Sequence, residues 1–243
     1  MLRLPAILGV IDRRILVNFR VTPAALRPLL PAPFRPKLVR GSAIAGVCLI
    51  RLCEVRPRFV PRAFGLRSEN AAHRVAVEWD ADGAVREGVY IPRRDTSSRF
   101  NVAVGGRIFP GEHHPAEFRV EESDERLSVA LQSADGLTRV RVEARVAGAL
   151  PASSVFGSLD EASRFFAGGS LGYSATRRAG VYDGLELRSF GWAVEPLEVT
   201  GVESTFFGDQ TRFPPGSVQF DCALLMRRIA HEWHAHPQLV APG

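Results

Sequence analysis

The chain has 243 residues, of which 46% are hydrophobic and 23% charged, so it can bury a substantial core, and we expect one globular domain over residues 1–243. The formal net charge is +5, but the arginines are spread along the chain without a basic run of about five residues, which argues against a nucleic-acid partner. No apolar run approaches the ~20 residues of a membrane span, and we expect no signal peptide, no membrane partner and a cytoplasmic location.

Lysines and cysteines are scarce, which restricts the covalent chemistry open to the chain. Of the 31 basic residues only one, Lys37, is a lysine, so imine formation is confined to a single position. The three cysteines form no Cys-x-x-Cys pair and are too few for a disulfide framework. We interpret Cys48, Cys53 and Cys222 as reduced core residues.

The first half of the chain alternates apolar and polar residues, as strands do. Strands are predicted at 11–21, 42–55, 71–80 and 85–91, and the last two form a hairpin through the turn at 81–83. Helices are predicted at 24–30, with Thr22 as N-cap and Pro23 at the first helical position, and at 96–104.

The second half continues with short strands and tight turns. Strands are predicted at 116–121, 126–133, 137–147, 171–178, 184–200 and 217–229. The capping box from Ser158 to Glu161 predicts a helix at 159–167, and a further short helix is predicted at 202–207. Many strands with few short helices indicate a mainly β fold, a closed antiparallel β-barrel or double sheet, because closure removes exposed edges.

Several segments carry a family resemblance. They are LVNFRV at 16–21, ALRPLLPAPF at 25–34, RRDT at 93–96, GGRIFPG at 105–111 and HEWH at 231–234. Together they resemble the acetoacetate decarboxylase-like superfamily and, within it, the uncharacterised YqjF-like conserved family. The resemblance covers almost the whole chain and implies an acetoacetate decarboxylase-like fold.

The decarboxylase branch of that superfamily works through an imine between a lysine and the keto group of its substrate. In that branch a pair of lysines follows a segment that looks like residues 106–110, whereas here residues 111–114 read Gly-Glu-His-His. Lys37 lies in a proline-flanked connection, where an exposed cation is expected. The comparison therefore predicts an inherited scaffold without the Schiff-base lysine, and we expect no cofactor.

Other positions resemble pocket residues of that branch. Glu69 resembles one of its acidic pocket residues, and Arg13 or Arg14 resembles its pocket arginine. Because neighbours on a strand face opposite sides, at most one of His113 and His114 can point inward, where it could exchange protons if it meets Glu69 or Arg107. The alternative is a histidine that only satisfies backbone groups at a turn.

An arginine-rich stretch surrounds the predicted helix at 96–104. An inward-pointing arginine would suit bidentate recognition of a carboxylate, whereas an Arg–Asp pair such as Arg94 with Asp95 would merely hold the rim. We predict catalytic roles for Glu69, His113 and His114 and a ligand site formed by Arg14, Tyr90, Arg94, Arg107 and Glu112.

Two further patterns imitate functional motifs. His231, His234 and His236 suggest a metal cluster on a helix, but the HExxH spacing is absent and no distant ligand is identifiable, so we predict no metal and a solvated tail or a packing anchor through Trp233. Residues 168–172 match GxSxG, but a helix precedes and a strand follows, the reverse of the order in hydrolases. We interpret that segment as a helix end and a turn.

Two functional hypotheses remain open. In the first, the protein binds a small organic molecule, with a carbonyl or carboxylate group, in its apolar cavity. In the second, it is a non-covalent acid/base enzyme of lyase, isomerase or hydrolase type that uses Glu69 with His113 or His114. A structural role, or assembly as a homo-oligomer, is the residual hypothesis.

Overall fold

A computed structural model describes residues 6–104, 110–176 and 178–241. Most of these residues lie in strands, whose bounds are β1 (Ile7–Val21), β2 (Arg35–Pro36), β3 (Leu38–Val39), β4 (Ser42–Pro57), β5 (Leu66–Ala81), β6 (Ala84–Thr96), β7 (His113–Glu122), β8 (Arg126–Ser133), β9 (Arg139–Val146), β10 (Leu171–Ala175), β11 (Val181–Phe190), β12 (Glu195–Ser204) and β13 (Val218–Val240). The helices are α1 (Pro23–Leu26), α2 (Arg99–Val104) and α3 (Leu159–Gly168). The mainly β class predicted from the alternating pattern is confirmed.

The strands pair into one sheet that closes on itself. The order β1-β4-β5-β6-β10-β11-β13 returns to β1, which makes a ring. A second ring leaves β6 through β7, β8, β9 and β12 and rejoins β13. Pairing is antiparallel except where β6 meets β7 and β10, which run parallel to it. Closure is therefore as predicted, but the sheet is not wholly antiparallel.

Two hydrophobic cores lie on opposite faces of the sheet, and strands such as β1 and β4 contribute residues to both. In β1, Ile15 and Val17 belong to the first core, whereas Leu16 between them belongs to the second. Strand β4 alternates in the same way, with Val47 in the first core and Cys48 in the second. Parity along these strands therefore decides which core a side chain joins.

Helix α3 closes part of the second core. Ser158 Oγ accepts a hydrogen bond from the Glu161 N–H at 3.1 Å, as the capping box predicts, but the Glu161 carboxylate accepts from Gly157 N–H at 2.7 Å. Ala162 and Phe166 are buried against the sheet. At ten residues, α3 is the longest described helix, and none of the described helices is long and apolar enough to cross a membrane.

Three predicted elements are corrected. The predicted strand at 184–200 is two strands, β11 and β12, and the connection between them contains Gly191 at φ +84°. The predicted helix at 202–207 is wrong, because Val202 pairs with Val142 of β9 and prolongs β12. The expected solvated C-terminal tail is wrong as well, since β13 pairs with β11 as far as Val240.

The first two helices are shorter than predicted. Helix α1 ends at Leu26 and a 3₁₀ turn continues to Leu29, while Thr22 makes no side-chain capping bond. Thr96 lies at the end of β6, where its hydroxyl donates to Asn70 Oδ1 at 2.7 Å, so α2 starts only at Arg99. Of the cysteines, Cys48 and Cys222 are buried as expected, and Cys53 is only half-buried.

Candidate ligand-binding site

A cavity of about 80 Å³ lies on the second-core face, where β4, β5, β6, β7, β11 and β13 meet. Its lining is mainly apolar, with Ile50, Leu185 and Trp233 among the apolar residues and Asn70, Arg94 and His113 among the polar ones. A small volume with a few polar groups in an apolar wall is the composition of a ligand site, although pockets for drug-sized molecules start at ~300 Å³. Any ligand held here is therefore small.

Arg94 is the cation of this cavity. It pairs with Ala72 of β5 and His113 of β7, and its Nε and Nη2 atoms donate to Ser174 Oγ at 3.2 and 3.1 Å. Within residues 6–104, 110–176 and 178–241 it forms no ion pair with a carboxylate. Desolvation lowers the pKa of Arg94 to about 10, so the group stays charged at neutral pH without a counter-ion.

Gly111 is required beside this guanidinium. Its φ is +78°, and a Cβ at this position would lie 2.7 Å from Ser174 Cβ and 3.4 Å from Arg94 Nε. A side chain at position 111 would therefore displace the hydroxyl that orients Arg94.

Arg93 faces away from the cavity, because neighbouring residues on a strand point to opposite faces. Its Nη2 lies 2.8 Å from the buried carboxylate of Asp95 and 2.9 Å from that of Asp135. The predicted Arg94–Asp95 pair is therefore wrong: Arg93 takes Asp95, and Arg94 remains for the cavity.

Only one of the two neighbouring histidines lines the cavity. His113 Nδ1 lies 3.2 Å from the carbonyl oxygen of Gly111, and burial together with Arg94 lowers the pKa of His113 to about 4. Its ring is thus neutral at pH 7. His114 points to the opposite face of β7, with Nδ1 3.7 Å from Asp135 Oδ2, and borders a separate cavity of about 110 Å³.

Two more arginines point to the second-core face. Arg14 Nε donates to Cys48 Sγ at 3.0 Å, and the buried Arg74 donates to Asn18 Oδ1 and lies 4.9 Å from the ring centre of Phe166. Burial lowers the pKa of Arg74 to about 10. Arg74 is not among the site residues predicted from the sequence. The available signal was a charged residue at the inward parity of β5, between Ala72 and Ala76.

Glu69 lies on the opposite face, away from Arg94 and His113. Its carboxylate contacts Arg13 Nη2 at 2.5 Å and Arg51 Nε at 2.6 Å, and both arginines also pair with Glu122. The structure therefore places Glu69 in a mixed ion-pair cluster, which we call the Glu69 cluster (Arg13, Arg51, Glu69, Glu122), and not beside the predicted histidine.

The other predicted ligand-site residues are also dispersed. Tyr90 packs in the first core against Phe34 and Tyr182, with ring centres 5.5 and 6.2 Å away. Glu112 is exposed beside a second small cavity of about 110 Å³ that shares Arg94 and Ser174. Arg107 lies outside the described residues. Of the predicted binding and catalytic residues, the structure thus brings Arg94 and His113 together at the first cavity and Arg94, Glu112 and His114 together at the second, with Arg14 on the same face as Arg94.

The sequence family follows from residues 11–216, which match the model of DUF2071, described as an uncharacterized conserved protein. The chain belongs to the DUF2071 family. No functionally curated protein matches its sequence.

Solved structures with the same fold span nearly all of this DUF2071 chain. They include an acetoacetate decarboxylase from Legionella pneumophila (TM-score 0.63, 10% identity, 98% of this chain and 88% of that one). The enduracididine biosynthesis enzyme MppR complexed with pyruvate has a TM-score of 0.59 at 12% identity, over 99% and 91% of the two chains. An acetoacetate decarboxylase-like enzyme from Sphingomonas wittichii RW1 has a TM-score of 0.58 at 12% identity, over 98% and 93%. The acetoacetate decarboxylase-like fold is thereby confirmed.

Lys37 differs from its expected environment. Its ammonium group pairs with Glu87 and lies 4.9 Å from the ring centre of Phe165, and its side chain is 21% exposed. The residue borders a narrow cavity of about 30 Å³ that Arg14 and Arg74 also line. The expectation of a freely exposed lysine is corrected, because Glu87 and Phe165 hold it against the protein.

The C-terminal histidines lie on strand β13 and not on a helix. His234 Nε2 is 2.8 Å from Glu232 Oε2, His236 Nδ1 is 3.1 Å from the Tyr173 hydroxyl, and His231 is buried against Trp233. The helical spacing on which the metal hypothesis rested is thus absent. Among the described residues, no group of three His, Cys, Asp or Glu side chains is placed to hold a metal ion.

Two buried histidines predict acid sensitivity. His73 and His231 have no side-chain hydrogen-bond partner among the described residues, and burial lowers their pKa values to about 3 and about 4. The unfolded chain takes up these protons near pH 6.5, whereas the folded protein does not. The stability conferred by the neutral rings is therefore complete above pH 6.5 and is lost as the pH falls.

We expect the free energy of unfolding, measured by urea denaturation, to decrease by about 1.4 kcal/mol per histidine for each pH unit between pH 6 and 5. In His73→Phe, which keeps an aromatic ring beside Phe206, this slope should be smaller by the share of one histidine. An unchanged slope in that variant would show that His73 is not buried in its neutral form.

Proposed function

We propose that this DUF2071 protein binds a small organic acid in the cavity lined by Arg94 and His113. The proposal rests on one observation: a desolvated guanidinium that lines the cavity has no carboxylate partner in the described part of the chain. A buried charge costs several kcal/mol unless it is paired, and the carboxylate of a ligand would supply the missing partner.

The other polar groups of this cavity include the ring of His113 and the amide of Asn70. His113 Nδ1 donates to the Gly111 carbonyl, which leaves Nε2 of the neutral ring as an acceptor for a hydroxyl group of the ligand, whereas the Asn70 amide donates to Ser68 and accepts from Thr96. The apolar wall of Ile50, Leu185 and Trp233 would contact the carbon atoms. The structurally similar enzyme MppR was solved with pyruvate, a small organic acid.

Thermal unfolding with a panel of small acids tests the proposal. Acetate, pyruvate and acetoacetate are compared with pyruvamide, in which a neutral amide replaces the carboxylate. At 100 times its Kd a ligand adds ~2.7 kcal/mol, which should raise the Tm by about 5–10 °C for a chain of this size. We expect at least one acid to produce this shift and Arg94→Met to abolish it.

The matched control is Arg145→Met, which removes an exposed arginine paired with Glu198 and should leave the shift unchanged. An equal shift with pyruvamide, or an undiminished shift in Arg94→Met, would contradict the proposal.

Proton transfer in the same cavity is the second candidate function, and the observation that favours it is the half-buried ring of His113, whose lowered pKa keeps it neutral at pH 7. Glu69 would take no part, since it lies on the opposite face. If His113 acts as a base, the C–H protons next to the carbonyl of a bound acid exchange with D₂O, which NMR detects, and His113→Gln abolishes the exchange. Binding without exchange would favour the first candidate.

A further inference from the structure

Three arginines lie on one face of four adjacent strands. Strand pairing places Leu16, Cys48, Ala72 and Arg94 in one row across β1, β4, β5 and β6. Arg14 is two residues from Leu16 in β1, and Arg74 is two residues from Ala72 in β5, so both share this face. Arg74 and Arg94 occupy diagonal positions on the adjacent strands β5 and β6, and such backbone positions are ~7–8 Å apart. Cys48 lies at the centre of the group.

Arg74 crosses β4 at the level of Gly46, where β1 and β4 approach closely. Gly46 stands between Asn18 and Arg74 in the next row, and a Cβ there would lie 2.1 Å from the carbonyl oxygen of Val17. Arg74 reaches over β4 and donates to Asn18 Oδ1. The guanidinium therefore lies near Arg14 instead of turning to solvent.

None of these three cations is neutralised within the described residues. Their hydrogen-bond acceptors are Cys48 Sγ for Arg14, Asn18 Oδ1 for Arg74 and Ser174 Oγ for Arg94. Glu87 is the carboxylate that lines the narrow cavity beside Arg14 and Arg74, and it is paired with Lys37.

Free hydrogen-bonding capacity accompanies the charge. The Nε atom of the buried Arg74 and both ring nitrogens of His231 have no partner among the described residues. Burial and the charge of Arg14 both contribute to lowering the pKa of His231. Buried polar atoms of native proteins are nearly always satisfied, and an anionic group bound beside Arg74 would accept from its unpaired Nε.

From this charge count we infer that the ligand carries at least two negative charges, with one carboxylate at Arg94 and a second anionic group at Arg14 and Arg74. The inference rests on the proposed function and specifies the class of ligand: a dicarboxylate or a comparable dianion, not a monocarboxylic acid. One carboxylate at Arg94 would leave Arg14 and the buried Arg74 without an anionic partner.

Calorimetric titration with matched acids tests this inference. Succinate is compared with succinamate, in which one carboxylate is an amide, and 2-oxoglutarate with pyruvate. We expect each dianion to bind at least tenfold more tightly than its monoanion, as a charge-assisted hydrogen bond to a buried cation implies. In Arg74→Met this ratio should approach one, whereas Arg94→Met should weaken both members of each pair.

Arg14→Met provides an independent second variant with the same expected loss of the ratio, and Arg145→Met is the surface control. If monoanions bind as tightly as dianions and the ratio does not respond to Arg74→Met, the inference is overturned while the proposed function stands. If no acid binds at all, both are overturned. Binding of dianions with an unchanged ratio in Arg74→Met and Arg14→Met would also overturn the assignment of the second anionic group.

Discussion

Replacing Arg93 by methionine should lower the free energy of unfolding by about 3–5 kcal/mol, whereas replacing its neighbour Arg94 should leave it unchanged or raise it. Arg93 neutralises Asp95, whose side chain is 0% exposed. Without Arg93, the buried carboxylate of Asp95 would lose its ion-pair partner. Replacing Arg94 leaves no described carboxylate without a partner, and it removes a charge that is itself desolvated. Guanidinium denaturation of the two variants measures the difference.

The two substitutions should affect ligand affinity in the reverse order. Arg93→Met should keep the affinity for a small acid, because its side chain faces away from the cavity, and Arg94→Met should lose it. Equal destabilisation by both substitutions would show that Arg94 has an internal counter-ion and would remove the basis of the proposed site.

The second large effect concerns Glu69. We expect Glu69→Gln to destabilise the protein by about 2–3 kcal/mol, since the carboxylate accepts hydrogen bonds from the largely buried Arg13 and Arg51. Ligand affinity should remain unchanged, because the Glu69 cluster and Arg94 lie on opposite faces of the sheet. Chemical denaturation and titration of the same variant measure both quantities.

Glu198→Gln is the matched control for this substitution. Its carboxylate pairs with the exposed Arg145, and exposed pairs contribute at most ~1 kcal/mol. If Glu69→Gln kept wild-type stability and lost ligand affinity or turnover, Glu69 would be a functional residue, as the resemblance to the decarboxylase branch suggested.

Much of the fold could be predicted because strand alternation is a local signal. The hairpin of β5 and β6 and the meander of β7, β8 and β9 follow from period-two patterns and turn residues. Helix α3 follows from the contact between Ser158 and Glu161. The pattern at 202–207 misled because pairing with β9 outweighs local preference.

The site was only partly predictable, because it depends on which face each residue takes in a closed sheet. Arg94 and His113 were found from residue type and resemblance. Glu69 was assigned to the same pocket, but parity in β5 places it beside Arg51, one position out of phase with Asn70. A register shift in β1 between Ile11 and Arg13 prevents a sequence from deciding whether Arg13 or Arg14 faces inward.

Arg74 shows most clearly that the contacts of a site residue could not be predicted from its local sequence. Its side chain crosses the neighbouring strand at Gly46 and donates to Asn18 one strand further, at sequence separations that no local pattern connects. Whether an arginine on one face of the sheet has a carboxylate partner depends on how the strands pair. The register of the strands decides which guanidinium and carboxylate groups share a face.

Isothermal titration of the wild type and of Arg94→Met with the acid that gives the largest thermal shift tests the central claim most directly. We predict binding of one acid per chain to the wild type and an affinity at least about 100-fold lower for the variant, the loss of a charge-assisted contact in a buried site. Equal affinities for the two proteins would contradict the assignment of Arg94 as the cation that holds a carboxylate in this cavity.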